Sequence, residues 1–213
     1  MNRHLEVILA RHCAPVVMMM KPAAMFNKPD WWDLLSLSSI LKYKMRFVEI
    51  NRGGQNSVIY AFNIEMLKDV LLDEKVHKEL LKLGYPDREN LSDCKDCAYF
   101  SVDNDAAHNE TSAISDTCDN GYIGMLINHL RKRFFELDTF PHEVGFFLGY
   151  PYEDVLGFIK YKGDQCKLCG MWKVYGDEKR ACELFDLYKN LKQQMLEHIE
   201  QGGSVKDFER RAA

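Results

Sequence analysis

Residues 44–62 constrain the fold more than any other part of the chain. Lys44-Met45-Arg46-Phe47-Val48-Glu49-Ile50 alternates polar and apolar side chains, the period of a strand with one covered face. Asn51-Arg52-Gly53-Gly54-Gln55-Asn56 supplies turn residues, and Ser57-Val58-Ile59-Tyr60-Ala61-Phe62 is rich in β-branched and aromatic strand formers. Two such runs joined by a short turn pair antiparallel. Any fold for this chain must therefore place a hairpin among helices, because most of the remaining sequence reads as helix.

The surest helix is the last. Ala181, Leu184, Phe185, Tyr188, Leu191, Met195 and Ile199 follow the 3.6-residue period, Asp177 is placed to cap them, and Gly202-Gly203 to stop them. Asn63 to Leu72 and Glu74 to Leu83 read as two further helices ending at Gly84, and Tyr122 to Leu137 as another. Asp30 is placed to cap a helix over Trp31 to Tyr43. Near the start, Leu5, Ile8 and Leu9 predict a short helix broken at His12-Cys13-Ala14-Pro15. Pro15 would open a new helix, with Cys13 at its N-terminus.

Phe140 to Ile159 is the densest block of apolar, aromatic and glycine residues. It predicts a strand over Glu143–Leu148, a turn at Gly149-Tyr150-Pro151 and a helix from Tyr152. Gly170 to Tyr175 alternates and predicts one more strand. The order predicts an α+β fold: a small, mostly antiparallel sheet of about four strands packed with several helices. Residues 1–203 would form a single domain, with a polar, aperiodic insertion at about 86–120 and a flexible tail over 204–213.

At 46% hydrophobic and 28% charged, 213 residues can bury a core without disulfides or metal. A net charge of -4 offers no broad positive field to phosphates, so nucleic acid is not an expected partner. Arg131-Lys132-Arg133 reads as a solvated helix face. No apolar run approaches the ~20 residues of a membrane span, and Leu5–Ala10, interrupted by Glu6, is too short for a signal h-region. The expectation is a cytoplasmic protein off the membrane, its seven cysteines being reduced thiols or metal ligands.

Two constellations bear chemistry. Cys13 at a helix N-terminus would see the positive end of the helix, with His142 as base and Asp154 as orienting group, the set a cysteine nucleophile needs. His12 is a rival base. Cys94-Lys95-Asp96-Cys97 and Cys166-Lys167-Leu168-Cys169 are two C-x-x-C knuckles, and Cys94, Cys97, Cys166 and Cys169 together offer zinc four thiolates. The knuckles stand 68 residues apart, more than in a typical zinc ribbon. Neither pair sits in the βαβ setting of a redox C-x-x-C. The glycines at 145, 149 and 157 match no phosphate-binding fingerprint and serve close packing or turns. Trp172 is a core residue or the wall of a ligand pocket.

Three blocks carry a resemblance: Arg11-His12-Cys13-Ala14-Pro15 with Lys21-Pro22-Ala23, the run Phe140 to Ile159, and Cys169-Gly170 with Trp172 to Asp177. In these the chain resembles a family from anaerobic Gram-positive bacteria known as domain of unknown function 3793. The resemblance implies a bacterial cytosolic protein and brings no activity. The residues leave two function classes. One is a binding or accessory protein for a small molecule or a protein, stabilised by zinc on the C-x-x-C pairs. The other is a cysteine-dependent transferase or hydrolase using Cys13 and His142.

Overall fold

The computed structural model describes residues 3–27, 45–52, 55–88, 113–137 and 139–208. The helix expected over Trp31–Tyr43 lies outside them. The expected hairpin is β2 (Met45–Arg52) and β3 (Gln55–Asn63), paired antiparallel with Val48 opposite Tyr60. A strand the sequence did not announce, β1 (Ala23–Asn27), pairs on the other side of β3, with Ala23 opposite Phe62.

The central strand β3 separates two cores by its pleat. Val58, Tyr60 and Phe62 enter one, and Ile59 and Ala61 enter the other. The first core takes apolar faces from α2 (Ile64–Leu71), α3 (Glu74–Lys82), α4 (Ala113–Glu136), α5 (Val144–Phe147) and α6 (Tyr152–Tyr161). Tyr60 donates its hydroxyl hydrogen to the Phe147 carbonyl at 2.7 Å, tying the sheet to α5. The second core takes α1 (Arg3–Val17), α7 (Glu178–Glu200) and α8 (Val205–Phe208). A small second sheet, β4 (Leu168–Cys169) with β5 (Lys173–Val174), packs on the first half of α7 through Trp172 and Val174. The architecture is α+β, as expected. Among the described residues, no helix is long and apolar enough to cross a membrane.

Caps explain the helix starts that were read correctly. Asn63 leaves β3 and accepts from Glu65 N and Met66 N at 3.1 Å, Asp73 accepts from Lys75 N and Val76 N, and Asp177 accepts from Arg180 N.

Five expectations are corrected. No break interrupts α1 at His12–Pro15: the helix runs through Pro15 to Val17. A proline inside a helix costs about 3 kcal/mol, but this one stands in the last turn, and burial of Leu5, Leu9, Val16 and Val17 contributes about 1.5–3 kcal/mol each. Residues 113–120 of the polar stretch belong to α4. The strand expected over Glu143–Leu148 is the short helix α5, buried at Val144, Gly145, Phe146 and Phe147. A run buried on all sides has no period to separate helix from strand. Gly170–Tyr175 is not one strand but the turn and second arm of the β4–β5 hairpin. Finally, the chain after Ser204 is anchored as far as Phe208. The Ser204 hydroxyl donates to buried Glu6 at 2.6 Å, and Val205 and Phe208 enter the second core as α8.

Candidate functional site

A cavity of about 470 Å³ opens between the α5–α6 block and the β4–β5 hairpin. Val144, Leu148, Val155 and Phe158 line it from the block, and Cys169, Met171, Trp172 and Lys173 from the hairpin. Its existence depends on how the hairpin is held. Two-residue strands cannot fix their own position, so the anchor must come from elsewhere.

Asp154 is that anchor. It stands in the first turn of α6 and is only 3% exposed. Its Oδ2 accepts from Trp172 Nε1 at 2.7 Å, and its Oδ1 accepts from Tyr175 N at 2.7 Å and Gly176 N at 2.8 Å. Three donors satisfy a buried carboxylate that has no cationic partner among these contacts. The same contacts leave the hairpin's polar groups paired, so its cavity face is largely apolar.

Packing refines the placement. The Trp172 ring stacks on Tyr150 at 4.9 Å between centroids and meets Phe185 of α7 edge-on at 4.5 Å. Gly157 faces Tyr175 so closely that a Cβ there would lie 2.2 Å from Tyr175 Cγ. Gly149 has φ +70° and rests against Pro22, so the turn from α5 to α6 needs both the left-handed backbone and the missing side chain. Trp172 thus serves as both packing residue and cavity wall, at 8% exposure.

His142 precedes α5 and lines the cavity with its side chain exposed, its ring edge-on to Phe158 at 4.9 Å. Its neighbour Glu143 is buried. Glu143 Oε1 accepts from Arg133 Nε of α4 and from the Tyr85 hydroxyl at 3.1 Å, while Arg133 also donates to the Leu83 carbonyl. This clamp holds the loop that carries His142. Burial, with the Glu143 charge added, pushes the Tyr85 phenol far above its ordinary range. His129, packed on Tyr85 at 4.4 Å, is pushed below its ordinary value by burial and then by Arg133 and Lys132.

Cys13 is elsewhere. It sits inside α1, not at its N-terminus, fully buried among the second core's side chains. Burial pushes its thiol up to about 12, against a smaller opposing effect of Lys21. It does not line the cavity that contains His142 and Asp154. His12, on the exposed side of α1, stacks on Phe26 at 4.9 Å.

Of the four cysteines in the knuckles, Cys94 and Cys97 lie outside the described residues. Cys166 is half-buried and Cys169 is exposed, both as free thiols. Among the described residues, no group of three or more His, Cys, Asp or Glu is placed to hold a metal. The sequence reading assigned Cys169 to metal alone and missed that it lines the same cavity as His142. The sequence carries no signal for this, because Gly170–Tyr175 reads there as a strand and the hairpin that turns Cys169 toward the cavity is not legible in it.

No curated protein and no solved structure matches the chain. A family model matches residues 9–98 and 110–208, passing over 99–109 in the polar stretch. By that match over most of its length, the chain belongs to the family described as Protein of unknown function (DUF3793).

Proposed function

We propose that this is a binding protein whose ligand is a small, mainly apolar molecule held between the α5–α6 block and the β4–β5 hairpin. The observation that supports the reading is the cavity itself. At about 470 Å³ it falls within the range of small-molecule sites, and it pairs apolar walls with few polar groups. Tyr150, Phe158 and Trp172 offer flat surfaces, and His142 from the α5 side and Lys173 from the hairpin offer hydrogen-bond donors. A ligand with an aromatic or aliphatic body and one acceptor or anionic group matches that lining. The Cys13–His142 reading draws less support, because a thiol buried in the second core and held protonated is a poor nucleophile.

The test is a titration with anilinonaphthalene sulfonate, an aromatic body with an anionic group, read by dye emission. Saturable binding to one site is expected. Leu148→Trp, which enlarges a half-buried cavity wall, should weaken it about tenfold or more, a loss of about 1.4 kcal/mol, with unchanged circular dichroism. Wild-type affinity in Leu148→Trp, or no binding by the parent, would count against the reading.

A further inference from the structure

Cys169 and Lys173 are cross-strand partners in the β4–β5 hairpin, and both line the cavity that His142 lines from the α5 side. Side chains of directly opposed residues share one face of a sheet, about 5 Å apart at Cβ. The exposed thiol therefore shares a sheet face with Lys173 and a cavity with the His142 imidazole, and both open on the same apolar chamber. The Lys173 ammonium donates to the Gly163 carbonyl, which ties the hairpin to the loop after α6. We propose that the cavity is a covalent acyl site, in which Cys169 accepts an apolar acyl group from a small acyl thioester and the chamber holds the chain.

This rests on the binding reading and adds a bond to it. The exchange balances without oxidant or reductant. The His142 imidazole takes the thiol proton as Cys169 Sγ attacks the thioester carbonyl carbon. A new S–C bond forms, the thioester's own C–S bond breaks, and the departing thiolate takes the proton from the imidazolium. Free energy changes little, since one thioester replaces another, so the acyl group can be passed on.

Cys182, exposed on α7 and not in the cavity lining, is a reference thiol within the same molecule. The whole protein, kept reduced, is incubated with S-octanoyl-N-acetylcysteamine or its acetyl analogue, and acylation is followed peptide by peptide by mass spectrometry. The expected result is octanoylation of Cys169 about tenfold or more faster than of Cys182. The octanoyl donor should be preferred over the acetyl donor at Cys169 alone. His142→Gln should slow Cys169 about tenfold or more and leave Cys182 unchanged. Equal rates at the two thiols, with no chain-length preference, would overturn the inference. If the same preparation binds anilinonaphthalene sulfonate, that outcome removes the covalent step and leaves the binding reading standing. Absence of dye binding together with equal rates removes both.

Discussion

Asp154 shows what a single residue decides here. Its carboxylate fixes the hairpin, and the hairpin makes one side of the cavity. Replacing it by Asn preserves shape but gives an amide whose NH2 must face at least one of three donors: the Trp172 indole, Tyr175 N or Gly176 N. An orphaned buried donor costs about 1–3 kcal/mol. Asp154→Asn should lower unfolding stability by that amount in urea, and Trp172→Phe should destabilise less in the Asn background than in the parent. Strict additivity of the two changes would refute the assigned bonds. None of this was legible in the sequence. Asp154 read there as a helix first-turn carboxylate or an orienting acid, and its partners stand 18 to 22 residues downstream, where no local spacing points. His142 stands out in the sequence as the best candidate for a working polar group in an apolar, aromatic block, and it does line the cavity. Its clamp, Arg133 to Glu143, crosses between α4 and the loop and left no mark in the local pattern.

Elements were legible where the pattern is long. The period-2 run of β2 and β3 and the 3.6-residue period of α7 extend over enough residues for one register to win, and Asp177 marks the start of α7. The elements around the cavity are short: four residues in α5, two in each hairpin strand. Their conformation comes from what they touch. Gly157 is the sharpest case, and it yields a prediction in which two effects oppose. Alanine there would gain up to about 1 kcal/mol in helix propensity. Its Cβ would lie 2.2 Å from Tyr175 Cγ and 2.6 Å from Tyr175 Cβ, atoms near the backbone that cannot swing away. Overpacking of this kind costs about 1–3 kcal/mol, so it should win. Gly157→Ala should melt lower, shift the hairpin's Trp172 emission to longer wavelength and weaken dye binding. A higher melting temperature would mean that α6 and the hairpin are not in contact at Tyr175.

At the scale of the molecule, the sheet divides two cores, and the turn between α1 and β1 brings Lys21 to a junction between the α5–α6 turn and α7. Its ammonium lies 4.9 Å from the Tyr150 ring centroid and 5.9 Å from that of Tyr188, and burial lowers its pKa from 10.5 to about 8. Cys13, close enough to Lys21 to interact with its charge, moves the other way, from 9.0 to about 12. The signs are opposite and the windows overlap. Between pH 8 and 10.5 the unfolded chain keeps a Lys21 proton that the folded chain has released, so this group makes stability rise with pH. Between pH 9 and 12 the folded chain keeps a Cys13 proton that the unfolded chain has released, so this group makes stability fall. Together they predict a gain from pH 8 to 9, cancellation up to about 10.5 and a loss beyond it. Lys21→Met isolates the first limb. Below pH 8 the parent carries a charged, half-buried ammonium that the variant lacks, so the variant should be the more stable. That advantage should shrink steadily between pH 8 and 10.5 as the parent's folded lysine becomes neutral. Unfolding in urea at several pH values measures the gap directly. A gap that stays constant from pH 7 to 10.5 would show that Lys21 titrates alike in both states, and that the two tyrosines receive it as an exposed side chain rather than as part of the joint between the cores.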